Sequence, residues 1–262
     1  MRETWDKLLA VIAGLGAFTQ LIIDVTIVTF RRPPAWSLTR DQLYGIGVMS
    51  LPVVAVTGFS TGLILATQAW FQLSDLGLAG ATGLMVGKSM VTELGPVLTA
   101  FMVTGRVGAA MCAELGTMQV SEQIAALRSM AVNPLRYLVA PRFVAGSLML
   151  PPLTVFSMVM GIIGGYLIAV YFFGMPATTY LDPMPQHITA WDFTTGMIKA
   201  LCFGILISTI SCYKGMTTSG GAAGVGRATT NSVVICYTMI LFVNFLLNLL
   251  LNLIHTTWKY WV

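Results

Sequence analysis

The chain has 262 residues, of which 56% are hydrophobic and only 9% charged, with a formal net charge of +4. Soluble domains carry about 25% charged residues, so a water-soluble enzyme or binding module is excluded and an integral membrane protein is indicated. The mild positive balance fits membrane-flanking loops and does not point to nucleic acid.

Uncharged runs over 43–74, 143–181 and 228–258 each exceed the roughly 20 residues that cross a bilayer as a helix. Period-2 alternation is absent, so an all-α membrane fold is expected in place of a barrel. Residues 3–30 come first. Lys7, Gln20, Asp24 and Arg31 fall near one helical stripe, and Leu8, Val11, Leu15, Phe18, Ile22 and Val25 fall on the other side. That pattern favours a helix lying in the membrane interface over a span. Arg31-Arg32-Pro33-Pro34 ends it. An elbow and interfacial region over 1–42 followed by one membrane domain over 43–262 is the expected division. The N-terminus has no short apolar core followed by an A-x-A site, so no cleaved signal is expected.

Residues 43–72 form the first hydrophobic unit. Pro52 and several glycines predict a broken or hairpin-like segment. The second span is expected over about 82–112 and contains Lys88, Glu93, the Gly95-Pro96 break and Arg106. The third follows over 143–173, interrupted by Pro151-Pro152. A polar loop over 174–192 then holds Asp182, His187 and Asp192 and no Lys or Arg. The fourth span is expected over about 193–212 with Lys199 inside it. A loop over 214–227 and a fifth span over about 228–253 complete the chain. Placing residues 1–42, 106–142 and 213–227 in the cytoplasm gathers eleven of the fourteen Lys and Arg on one side. The positive-inside rule then predicts the N-terminus in and the C-terminus out.

The stretch from Thr92 to Arg142 holds seven of the 24 charged side chains. Glu93 lies inside an apolar run beside a helix break. A charge at that depth costs about 2.5–3.5 kcal/mol or more, so it faces a cavity or partner, or caps the broken helix. Lys88 sits too near the outer interface to be assigned as its partner. Residues 114–131 read as one amphipathic helix: Val120, Ile124, Leu127 and Ala131 share a face, while Glu122 and Gln123 point elsewhere. It packs either on its own chain or in a partner's groove. Arg227, at the start of the fifth span, suits a lipid head group or simple anchoring.

Other motifs carry little. Gly83 to Ser89 misses the phosphate-loop spacing by its residue count, so any ATP must be hydrolysed by another chain. The glycine run 220–226 does not match a dinucleotide fingerprint. Cys112, Cys202, Cys212 and Cys236 form no C-x-x-C pair. His187 and His255 are isolated, so no metal site or catalytic set is expected.

The segment ELGPVLTAFMVTGRVGAAMCAELGTMQVSEQIAALRSMAVNPLRYLVAPR resembles the signature region of the MlaE/YrbE permease family, and GGAAGVGRATTNSVV at 220–234 extends the resemblance to about 42–250. These permeases are membrane subunits of ABC transporters that move lipids across the envelope of bacteria with two membranes. The resemblance implies an inner-membrane homodimer with two ATPase subunits, which carry ATP and Mg, and a hexameric MCE-domain protein. No cofactor is expected on this chain. It implies an interfacial helix, five spans and a cytoplasmic coupling helix at about 114–131, with Glu114, Glu122, Gln123, Ile124 and Leu127 toward the ATPase. Glu93 matches the family's cavity glutamate, with Thr92, Gly95 and Pro96 around it. Thr92 stands where some members carry arginine, and Asn244 lies where the family often carries aspartate. Arg106 and Arg227 are head-group or interface candidates. The substrate expected is phospholipid or a related lipid. The rival readings are an ion-coupled secondary transporter and a permease for another hydrophobic substrate, such as a sterol or toluene-like solvent. An ion-coupled transporter needs more buried ionisable groups and, usually, repeats.

Overall fold

The computed structural model describes residues 16, 19–20, 23–29 and 34–261, with side chains as far as Thr257. Among the described residues there is no strand. Among the same residues, five helical runs are long and apolar enough to cross a membrane: Trp36–Ser74, Ala79–Val120, Leu135–Phe172, Ala190–Met216 and Gly221–Thr257. The all-α, five-span membrane fold expected from the uncharged runs is the one observed. Most of the interfacial helix expected over 3–30 lies outside the described residues. Its 23–29 portion is helical, and Val25 is buried against Leu115, Ile124 and Leu138.

The first span is broken but does not fold back. Its Leu51–Ser74 helix has 24 residues, about 36 Å, enough to cross the roughly 30 Å core without help. Pro52 sits in its first turn, where a missing N–H leaves nothing unpaired. The break falls at Gly47, where a Cβ would lie 2.7 Å from the Met149 sulfur.

The second, third and fourth spans form the centre. Of their most apolar windows, 50%, 44% and 50% are buried in the chain, against 22% for the first span and 11% for the fifth. The central cluster joins Ala100, Val103, Val107, Leu150, Phe203 and Ile207. The first span packs on the third through small residues. A Cβ on Gly62 would collide with the Gly161 carbonyl, so the two backbones touch as they do in glycine-mediated membrane contacts.

At one end, the polar loop expected over 174–192 is more ordered than a loop. It forms two short helices, Ala177–Leu181 and Pro183–His187, and seats Tyr180, fully buried, against Gly83 of the second span. Burial pushes the Tyr180 phenol well above the ordinary tyrosine range. Thr189 and Asp192 close a capping box at the start of the fourth span. Trp70 stacks on Phe173 at 5.2 Å beside Phe71 and Phe172, an aromatic group of the kind that sits at a membrane–water interface.

At the other end, two expectations are corrected. The amphipathic pattern over 114–131 predicts one helix. The structure has two pieces, Ala109–Val120 continuing the second span and a separate Gln123–Ser129 helix. The break sits at Glu122, whose φ of 58° lies in the left-handed region. The shared apolar face divides with it: Ile124 is buried and Leu127 partly so, while Val120 and Ala131 are exposed. The loop expected over 214–227 is also mostly helix. The fourth span runs to Met216 and the fifth begins at Gly221, leaving a turn over 217–220 in which Gly220 has φ 91°.

Candidate functional site

The second span carries the site at the first of two places where it departs from regular helix. Met90–Leu94 is π-helical, and the Gly95 N–H closes the wide turn on the Met90 carbonyl. Wide turns of this kind recur at functional sites. Pro96 follows, and having no N–H it cannot bond the carbonyl four residues back, that of Thr92. The orphaned carbonyl is satisfied from another helix: Lys199 Nζ donates to Thr92 O at 2.9 Å. The Gly95-Pro96 break therefore creates an acceptor at membrane depth, and the fourth span supplies the donor. Gly95 leaves room for the turn, since a Cβ there would press on the Met90 carbonyl and lie 2.8 Å from Met158 Cγ.

Lys199 is wholly buried, and its ammonium is fully hydrogen-bonded. Its Nζ also donates to Glu93 Oε1 at 2.6 Å and to Asn248 Oδ1 at 2.6 Å. The three acceptors match the three protons of an ammonium. Glu93 is held from a second side, where Asn244 Nδ2 donates to Glu93 Oε2 at 3.1 Å. Its side chain keeps 38% of its surface open. The Asn244 amide is oriented by that bond, and its own Oδ1 is buried with no partner. The result is one carboxylate and one ammonium, closed by two carboxamides, linking the second, fourth and fifth spans. The open part of the Glu93 carboxylate remains for another molecule.

Of the residues singled out in the sequence, Glu93, Thr92, Gly95 and Pro96 all meet here. Thr92 contributes its backbone; its hydroxyl donates to the Lys88 carbonyl at 2.9 Å. Lys199 was visible as a charge inside the fourth span but carried no assignment, and Asn248 carried no signal at all. Lys88 does not join the cluster and instead lies 3.8 Å from Asp192.

The remaining candidates fall elsewhere. Arg106, on a second π-helical turn over Thr104–Gly108, donates through Nη1 to Ser50 Oγ at 2.7 Å and to the Gly45 carbonyl at 3.3 Å. It braces the break in the first span. Glu114 accepts from Arg142 Nη2 at 2.9 Å, and Arg142 Nη1 donates to the Leu138 carbonyl. That pair ties the Val120 end of the second span to the third. Ile124 is buried against its own chain, while Glu122 and Gln123 stand exposed on the short helix and its leading turn. Across a cleft from them lies the 218–221 turn. Among the described residues no group of His, Cys, Asp and Glu has a metal-binding arrangement.

The family model described as Permease MlaE matches residues 39–250, about four-fifths of the chain. The chain is 42% identical to a probable ABC transporter permease protein of Rickettsia typhi over 239 residues, 91% of this chain and 92% of the relative. It is 38% identical over 213 residues to the chloroplastic protein TRIGALACTOSYLDIACYLGLYCEROL 1 of Arabidopsis thaliana, covering 81% of this chain and 61% of that protein. It is 34% identical over 211 residues to the intermembrane phospholipid transport system permease protein MlaE of Haemophilus influenzae, covering 80% and 81%. The family match spans the residues that build the ion cluster and the Gln123–Ser129 helix. The chain belongs to the MlaE permease family of ABC transporter membrane subunits.

Proposed function

We propose that this chain is the lipid-translocating permease of an ABC transporter, working as a homodimer between two ATPase subunits and an MCE-domain protein outside the inner membrane. The observation that carries the substrate reading is the Glu93–Lys199–Asn244–Asn248 cluster. A paired charge whose carboxylate is partly open, set among apolar spans, suits a molecule with a polar head and long apolar tails. The name of the Haemophilus relative supports phospholipid as that molecule.

Orientation follows the Lys and Arg bias: the end carrying Glu122 faces the cytoplasm, and the end carrying Tyr180 faces the periplasm. ATP and Mg are held by the partner ATPase. Its closure pushes the Gln123–Ser129 helix, and the Glu114–Arg142 pair passes that push to the second and third spans. The second span then shifts Glu93 relative to Lys199 and changes what the open side of the carboxylate holds. Glu122 and Gln123 meet the ATPase, while Ile124 and Leu127 keep the helix seated. Arg227 lies at the membrane level of the inner end.

Copurification tests the assembly, because an ATPase and an MCE-domain protein come down with the chain. Mass spectrometry of the purified complex identifies the lipid. Glu93→Gln is expected to cut lipid transfer about tenfold or more while ATPase binding stays unchanged. Transport by the chain alone, driven by an ion gradient without ATP, would overturn the assignment in favour of an ion-coupled transporter.

A further inference from the structure

A cavity of about 750 Å³ opens at the inner end, away from the ion cluster. Ligand sites commonly occupy roughly 300–1,000 Å³ and pair apolar walls with a few polar groups. Three elements build this one: the 23–29 helix gives Ile27 and Val28, the start of the first span gives Leu38, and the turn into the third span gives Val132, Arg136 and Tyr137. The walls are apolar and the mouth is not.

The mouth has the chemistry of an anion site. Arg136 is exposed and takes part in no hydrogen bond or ion pair among the described residues. The turn from 131 to 142 contains Arg136 and Arg142 and no Asp or Glu. Arg142 is already spent on Glu114. Asn133, also at the mouth, accepts the Leu135 N–H through its Oδ1, which leaves its amide N–H groups facing outward as donors. A guanidinium beside an amide donor binds phosphate oxygens well. Depth adds the rest. Arg136 stands seven residues, about 10 Å of helix, before the uncharged run that starts at Phe143, close to the level of lipid head groups. A basic pocket between helices at that level is a phospholipid head-group site by composition.

We infer that this cavity holds a resident anionic phospholipid that is not the transported cargo, with its phosphate on Arg136 and Asn133 and the start of its chains between Ile27, Val28 and Leu38. Naming the leaflet as cytoplasmic rests on the orientation proposed above. The position gives the lipid a job. Val132 and Ala131 directly follow the Gln123–Ser129 helix, and Ala131 takes a left-handed φ of 59°. A lipid wedged there ties the far end of the coupling helix to the first span and the interfacial helix. The ATPase cycle then depends on anionic lipid in the surrounding leaflet.

The test uses the complex of this chain with its ATPase in nanodiscs of phosphatidylcholine, with or without phosphatidylglycerol. A phosphatidylglycerol probe with a photoreactive acyl chain is crosslinked, and the labelled peptides are mapped. Labelling is expected on peptides containing 27–28 or 131–137, competed by phosphatidylglycerol and not by phosphatidylcholine. Arg136→Gln should lower it severalfold, and Val132→Trp, which fills the cavity, should abolish it. Equal labelling by the matching choline probe, competition by inorganic phosphate alone, or no change in Arg136→Gln would each overturn the site. Glu93→Gln is expected to lower transfer and leave this labelling intact. Failure of the transport reading and failure of the lipid site therefore give different results.

Discussion

At the residue scale the decisive object is Lys199. An ammonium with no exposed surface is stable in a membrane only when each proton has a partner. Here the partners are Thr92 O, Glu93 and Asn248. Lys199→Met is expected to lower thermal stability by about 2 kcal/mol through the stranded acceptors. Adding Glu93→Gln in the same chain should recover part of that loss, because the carboxylate no longer lacks its cation. A double-mutant cycle on Tm checks this; strict additivity would show that the two side chains do not interact. Glu93 was legible in the sequence because a carboxylate inside an apolar run has a cost that needs a reason. Its partner was not, since which faces of helices 106 residues apart meet is decided by packing and leaves no local pattern. Tyr180 carries a pH dependence. Its phenol proton is held more tightly in the folded protein than in the unfolded chain. The folded state is therefore favoured fully below about pH 10 and loses that advantage as pH rises beyond it. Tyr180→Phe should flatten the alkaline limb of the Tm–pH curve, at the loss of one long hydrogen bond to the Ile162 carbonyl.

At the scale of elements, the Ser121–Glu122 break is the feature that sequence patterning missed. The segment has neither Gly nor Pro there, and the apolar spacing runs straight through it. Glutamate in the left-handed region costs about 1 kcal/mol or more, so the surroundings hold it in place. Glu122→Gly should keep or raise Tm while removing the carboxylate, and Glu122→Val should lower Tm by about 1–2 kcal/mol worth of strain. If Glu122→Gly keeps both full ATPase binding and transfer, the carboxylate has no contact with the ATPase. The glycine contact between the first and third spans gives an opposite expectation. Gly62→Ala pushes a methyl into the Gly161 carbonyl and should cost about 1–3 kcal/mol, read as loss of folded protein after detergent extraction. Spans and glycine-rich contacts were legible because membrane length and backbone approach both constrain composition. The short helices over 177–187 were hidden by their prolines and polar residues, which read as loop until Tyr180 is seen buried beneath them.

For the whole molecule, the uneven burial of the spans matters most. The fifth span turns Leu241, Phe245, Leu249 and Leu253 outward, all more than half exposed. The cluster that it completes through Asn244 and Asn248 lies on its other side. In the proposed homodimer the fifth spans line the shared axis. Cysteine placed at Phe245 in a chain lacking its native cysteines is then expected to give a disulfide-linked dimer in membranes. Persistent monomer under oxidation would mean that this face meets lipid and that the axis lies elsewhere. Orientation has its own measurement: cysteine at Asn133 should react with an impermeant reagent in inverted vesicles and resist it in intact cells.

The two wide turns of the second span set a phase relation along it. Each π-helical turn holds one residue more than a regular turn would, and one residue of helix amounts to about 100° of rotation. Glu93 and the inner end of the same helix are thus offset like two keys cut at different angles on one shaft. Deleting one residue from the Met90–Leu94 turn would leave the span apolar and long enough to cross. It would also swing Glu93 off Lys199, disconnecting the site without unfolding the helix that carries it.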